Sequence, residues 1–164
     1  ATFMVLAPEH HLVESLTTED IRSEVQTYVE NAVRQTDVQR ESANRVKTGV
    51  FTGGYAINPV NKERIPVWVA DYVLITYGTG AIMAVPAHDQ RDLDFANKYN
   101  LQVLPVVKPK NINPSKFVIK NKAYTDDGIL FNSEFLNNLT VNQAIEKAIK
   151  VITKKKLGKK KFCL

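Results

Sequence analysis

At 164 residues, with 44% apolar and 24% charged side chains, the chain has the length and balance of one folded domain and is too short to suggest two. No apolar run approaches the roughly 20 residues of a membrane helix, and no basic–apolar–small leader pattern opens the chain, so neither a span nor a secretory signal is expected. The 22 Lys and Arg against 17 Asp and Glu leave a net charge of +5, which suits a polyanionic partner without demanding one.

Ala1 to Ala7 reads as a buried strand already under way, without an initiator Met, as expected for a piece of a longer chain. Pro8 and the adjacent His10 and His11 read as a surface turn, with the two rings pointing in divergent directions. Thr17 and Thr18 followed by Glu19 and Asp20 form a helix start, with capping hydroxyls and then acids in the first turn. Ile21, Val25, Tyr28, Val29, Ala32 and Val33 recur at helical spacing behind it. A second short helix follows Asp37 and ends before Gly49.

The middle of the chain is β-rich. Val50, Thr52, Tyr55 and Ile57 mark one strand, residues 58–62 a turn cluster, and Ile65 to Ala70 the returning strand of a hairpin. Asp71 to Ile75 continues the apolar, β-prone run until Tyr77-Gly78-Thr79-Gly80 breaks it. Ala81 to Val85 is a further short strand, ended by Pro86, and a helix carrying Leu93, Phe95, Ala96 and Tyr99 starts around Asp89. Val103, Leu104, Val106 and Val107 read as another strand, and residues 108–116 as a polar loop. The last helix is the clearest: Val141, Ala144, Ile145, Ala148, Ile149 and Ile152 form one stripe, Thr140 caps its start and Gly158 lies beyond its end. Lys154, Lys155, Lys156, Lys159, Lys160 and Lys161 follow, read either as a solvated helix end or as a phosphate contact. The single cysteine, Cys163, has no internal disulfide partner, which fits a reducing compartment. Interleaved helices and strands around a β-rich middle predict an α/β or α+β domain on a barrel-like or strongly curved sheet.

Two segments carry polar chemistry. Gly78 and Gly80 let the backbone turn sharply or approach a ligand, although Gly-x-Gly alone is a weak signal and no phosphate-loop pattern is present. Pro86 to Asp92 runs from a buried strand into a helix start, where side chains and free amides face a cleft. On a helix His88 and Asp92 would share a face, and Asp89 with Asp92 would bring two carboxylates to the first turn, able to anchor an ammonium. The structural alternative has Asp89 capping the helix, Arg91 and Asp92 solvated, and His88 a satisfied turn histidine. His88, Asp89 and Asp92 as a metal site lack the spacing or a further clear ligand. A Ser-His-Asp hydrolase lacks a serine in a strained Gly-x-Ser-x-Gly turn.

The sequence string resembles a known family over nearly its whole length and in the same order. Lys47 to Val60, Ile65 to Leu74, and above all Tyr77-Gly78-Thr79-Gly80-Ala81-Ile82-Met83-Ala84-Val85-Pro86-Ala87-His88-Asp89-Gln90-Arg91-Asp92 are similar to the inserted editing domain of bacterial-type leucyl-tRNA synthetases. Thr2 to His10 matches its strand after a threonine-rich motif, and Tyr124 to Lys159 the stretch returning to the synthetase core.

The resemblance implies a β-barrel-like core surrounded by helices, with residues 1–157 the editing domain and 158–164 the start of the return to the core. It implies an aminoacyl-tRNA deacylase within a leucine-tRNA ligase of protein biosynthesis. Such a domain clears a wrong amino acid, isoleucine or norvaline, from the tRNA(Leu) 3′ end. In this reading Asp92, His88 and Asp89 form the catalytic set. Asp92 holds the α-ammonium, while His88 and Asp89 contact the terminal adenosine or the attacking water. Tyr77, Met83 and Val85 shape the side-chain pocket, and Gly78, Thr79, Gly80 and Arg91 complete the substrate-binding set. No metal or cofactor is implied for editing; ATP and Mg are expected only in the synthetic core. The implied partners are mischarged tRNA(Leu) and the other synthetase domains, in the cytoplasm or an organellar matrix or stroma. The family's threonine-rich peptide, which adds hydroxyls and an arginine to the same pocket, is expected just upstream of Ala1. The alternative, for a chain without it, is a fragment that binds the tRNA 3′ end without turnover.

Overall fold

The computed structural model describes residues 1–42 and 45–159; Lys160, Lys161 and Cys163 lie outside the described residues. The strand expected at the start is β1 (Phe3–Leu6), and its place in the fold is central. It runs parallel to β3 (Arg64–Ala70), with Met4 opposite Val67, and antiparallel to β4 (Ala81–Ala84), with Met4 opposite Met83. The hairpin expected in the middle is β2 (Gly49–Ile57) with β3, its register shifting between Phe51 and Tyr55. The resulting sheet has the order β2-β3-β1-β4 and is open, so the barrel-like expectation reduces to a mixed sheet with helices on both faces.

Alternation along the strands sorts the apolar residues onto two faces. Phe3, Val5, Ala7, Ala70 and Ala84 pack against Phe95 and Ala96 of α4 (Gln90–Lys98). Leu6, Val50, Val67 and Val69 pack against Val13 of α1 (Leu12–Leu16) and Val25 of α2 (Arg22–Val33). Each Val, Leu or Phe among them, withdrawn from water, stabilises the fold by about 1.5–3 kcal/mol. A capping box at Thr36 and Gln39 starts α3 (Asp37–Glu41). A small second sheet pairs β5 (Val107–Lys108) with β6 (Ile129–Leu130), followed by α5 (Val141–Lys154), which Thr140 and Gln143 cap reciprocally. Lys154, Lys155, Lys156 and Lys159 are exposed at the end of α5.

Three expectations change. Asp71 to Ile75 is a turn and not a strand, because side chains satisfy it from within. Arg40 donates from Nε to the Asp71 carbonyl (2.9 Å) and from Nη2 to that of Val73 (2.7 Å). The Asp71 carboxylate accepts from the Thr48 amide (2.9 Å), the Thr48 hydroxyl (2.6 Å) and Arg45 (3.0 Å). The strand expected over Val103 to Val107 is confined to β5, since Pro105 has no N–H to give and the Val106 and Val107 amides turn to His88. His10 is buried and its ring stacks on that of His11 at 4.5 Å, so the pair does not diverge.

Candidate functional site

Edge strand β4 leads into the chemistry. After Ala84 the chain turns tightly, with the His88 and Asp89 amides both donating to the Val85 carbonyl (2.8 and 3.0 Å). Asp89 then caps α4, its Oδ1 accepting from the amides of Arg91 (2.8 Å) and Asp92 (3.3 Å). Burial pushes the Asp89 carboxyl up, but the Arg91 guanidinium and these amides outweigh it and hold it below the usual carboxylate range.

Asp92, in the first turn of α4, is only 4% exposed. Oδ1 accepts from the Tyr72 hydroxyl and Oδ2 from the Val85 amide, each at 2.8 Å. Two donors occupy half of the roughly four acceptor positions of a carboxylate. Arg91 pairs with Asp89 instead, and among the described residues no cation lies within ion-pair distance of Asp92. Burial therefore raises its pKa, against the opposing pull of Val85 and Tyr72. A buried carboxylate lacking a cation is costly, and a ligand cation relieves that cost.

His88 stays in the turn, so it does not share a helix face with Asp92. Its Nε2 accepts from the amides of Val106 (3.0 Å) and Val107 (3.1 Å), and Nδ1 donates to the Tyr124 carbonyl (2.8 Å). Burial holds the ring neutral by lowering its pKa. His88, Asp89 and Asp92 do not converge: among the described residues no three His, Cys, Asp or Glu side chains lie within reach of one metal ion. The structural alternative thus describes Asp89 and His88, while Asp92 departs from it by being buried.

Tyr77 to Gly80 forms a tight turn, the Gly80 amide donating to the Tyr77 carbonyl at 3.0 Å. Gly80 accepts in turn from the Ala7 amide (2.8 Å), which ties the turn to the end of β1. Thr79 is exposed, its hydroxyl donating to the Ala81 carbonyl at 3.3 Å. Tyr77, 70% exposed, and Arg91 line a cavity of about 300 Å³ together with Arg40, Lys47, Tyr72 and Ile82. Met83, 56% exposed, alternates with Ile82 on β4 and points to the opposite side, and Val85 is also exposed. The residues assigned to one side-chain pocket therefore divide between the two sides of β4, around Asp92.

Three residues of this neighbourhood carry no functional expectation from the sequence. Tyr72 lay inside an apparent strand. Arg40 sits on a five-residue helix whose charge pattern reads as solvated, yet its side chain is 1% exposed and its Nη1 pairs with Glu9 at 2.5 Å. His10 backs the turn, its Cδ2 lying 3.3 Å from the position a Gly80 Cβ would take.

A family model described as "Leucyl-tRNA synthetase, editing domain" matches residues 1–153. A leucine–tRNA ligase of Clostridium tetani is 48% identical over 98% of the chain, and one of Synechococcus sp. is 49% identical over 98%. The chain spans 19% of the length of each of these relatives. The crystal structure of a ternary complex of the Agrobacterium radiobacter agnB2 LeuRS with tRNA and LeuAMS is similar, with a TM-score of 0.65 and 30% identity. That likeness covers 98% of this chain and 16% of the other. With a family model matched over residues 1–153 and relatives 48% and 49% identical over 98% of its length, the chain belongs to the leucyl-tRNA synthetase editing-domain family.

Proposed function

We propose that the chain is the hydrolytic proofreading module of a leucine-tRNA ligase, cleaving the ester that joins a wrong aliphatic amino acid to the 3′ adenosine of tRNA(Leu). The observation that carries this reading is Asp92, a buried carboxylate with acceptor capacity to spare and no cation of its own among the described residues. The α-ammonium of an aminoacyl ester is the cation it would take.

Val85 ties the rest of the substrate to that anchor. Its amide is bonded to Asp92, so an ammonium held there leaves the substrate's side chain beside Val85 and Met83 on the exposed side of β4. Tyr77, on its glycine turn, offers a ring to the terminal adenosine. A water oxygen attacks the ester carbonyl carbon, the acyl–oxygen bond breaks, the ribose oxygen leaves with one of the water protons, and the amino acid departs as its carboxylate with the other proton released to solvent. Asp92 contributes by fixing the ester in place, since correct placement alone removes several kcal/mol from such a barrier. Asp89 and His88 act on this site through structure: Asp89 sets the first turn of α4, and His88 pins the turn before it.

A separate hydrolytic sieve has a physical rationale. One methylene changes binding by only about 1–3 kcal/mol, too little to separate leucine from close aliphatic analogues in one step. ATP, Mg and ligation belong, in this reading, to the remaining length of the parent enzyme.

Asp92→Ala in the full-length synthetase is expected to lower kcat/KM for Ile-tRNA(Leu) hydrolysis about 100-fold, the size of a lost charge-assisted hydrogen bond. Wild-type clearance of Ile-tRNA(Leu) by that variant would remove the ammonium anchor from the reading. Unimpaired tRNA binding with no hydrolysis by the wild type would leave a binding module instead.

A further inference from the structure

We propose that Tyr72 is a positioning residue whose hydroxyl, held in place by Arg40, fixes the Asp92 carboxylate in the orientation that receives the substrate ammonium. This rests on the reading of Asp92 as the ammonium anchor.

The connection is continuous and buried. Arg40, 2% exposed, reaches from α3 to the turn after β3 and donates to the carbonyls of Asp71 and Val73, the two neighbours of Tyr72. Bracketing both flanking carbonyls with one planar guanidinium leaves the backbone at Tyr72 little freedom. Glu9 pairs with the same guanidinium and offsets its charge. The Tyr72 ring packs against Phe95 of α4 with centroids 5.4 Å apart, which aims the hydroxyl along the helix start. There it donates to Asp92 Oδ1 at 2.8 Å. With Oδ2 held by the Val85 amide, the carboxylate plane is fixed from two sides and its remaining lone pairs are directed.

Loss of the Tyr72 hydroxyl has a signature that a packing defect lacks. The groups facing Asp92 are Tyr72 from the turn, the Val85 amide from the end of β4, and Asp89 and Arg91 from its own helix. The first two stabilise the ionised form by hydrogen bonding. Without the Tyr72 donor the carboxyl holds its proton to higher pH, and the site fills with a neutral acid that does not attract an ammonium.

Tyr72→Phe keeps the ring and removes only the donor. In this chain, the Asp92 carboxyl carbon followed by NMR is expected to titrate at higher pH in Tyr72→Phe than in the wild type. Tyr28→Phe, which removes a hydroxyl bonded to Thr48, is expected to leave that titration where it was. In the full-length synthetase the acid limb of kcat/KM for Ile-tRNA(Leu) hydrolysis moves with it, with a loss of about ten-fold on the limb that shrinks as the pH rises. Arg40→Lys gives up the planar fork and moves both readings in the same direction; Tyr72→Phe decides the matter alone if that variant does not fold. An Asp92 titration unchanged in folded Tyr72→Phe overturns the proposal. A shifted titration in a wild-type background that never deacylates overturns the deacylase reading and leaves the Tyr72–Asp92 link standing.

Discussion

Protonating His88 would set an N–H on Nε2 against the amides of Val106 and Val107, so the folded state favours the neutral ring. Its pKa is lowered by burial, whereas the unfolded chain titrates near the ordinary value of about 6.5. The unfolded state therefore binds more protons between the two values. The stabilisation from His88 is fully present above about 6.5 and is lost as the pH falls towards the folded pKa. His88→Ala leaves two amides and the Tyr124 carbonyl without their partner, which costs about 2 kcal/mol in this half-buried setting. At pH 7 the melting temperature is expected to fall by about 4–8 °C. The gap to the wild type should narrow at pH 5; a gap independent of pH would mean that the neutral ring is not what the fold requires. His88 also shows how a residue can be legible while its work is not. Its place in the signature was readable, but its three bonds go to residues 18 or more positions away, which no local pattern reports.

The turn from Tyr77 to Gly80 contains two glycines that differ in what surrounds them. Both have positive φ, 62° at Gly78 and 73° at Gly80. A Cβ at Gly78 would meet nothing within 4 Å, whereas one at Gly80 would lie 2.5 Å from Ile75 Cδ1 and 3.2 Å from Ile75 Cα. Gly78→Ala is expected to cost about 1 kcal/mol, the conformational penalty alone. Gly80→Ala adds a clash with the end of the Ile75 side chain and a tight approach to its Cα, and should cost at least twice as much in a urea unfolding experiment. Equal costs would show that Ile75 gives way to the added methyl group. At this scale the sequence was informative wherever burial imposes a period. β1, the β2–β3 hairpin, α2, α4 and α5 all follow from apolar spacing, and α4 and α5 also from their caps at Asp89 and Thr140, whereas Thr17 and Thr18 do not cap α2: the Thr17 hydroxyl donates to the Val13 carbonyl. It failed at Asp71 to Ile75, where five β-prone residues are held in a turn by the side chain of Arg40, and at α1, which is only five residues long.

Across the whole molecule, stability is concentrated in the four-stranded sheet. Phe3, Val5, Val69 and Ala70 of the two central strands have no solvent exposure, while Ala144 is the one buried residue of α5. Native-state hydrogen exchange is expected to be slowest in β1 and β3 and markedly faster in α5 and the β5–β6 pair. Equal protection throughout would mean that the two sheets unfold as one unit. The position of β1 also bears on how the molecule is made. Met4 finds its neighbours at Val67 and Met83, so β1 can pair on one side once β3 is made and on both sides only after β4. α2 and the β2–β3 hairpin do not wait for β4, because their contacts are local. The last strand to arrive completes the sheet, and it is the strand that carries the signature segment. A chain that stops short of β4 therefore lacks both the completed sheet and the Asp92 carboxylate that follows it.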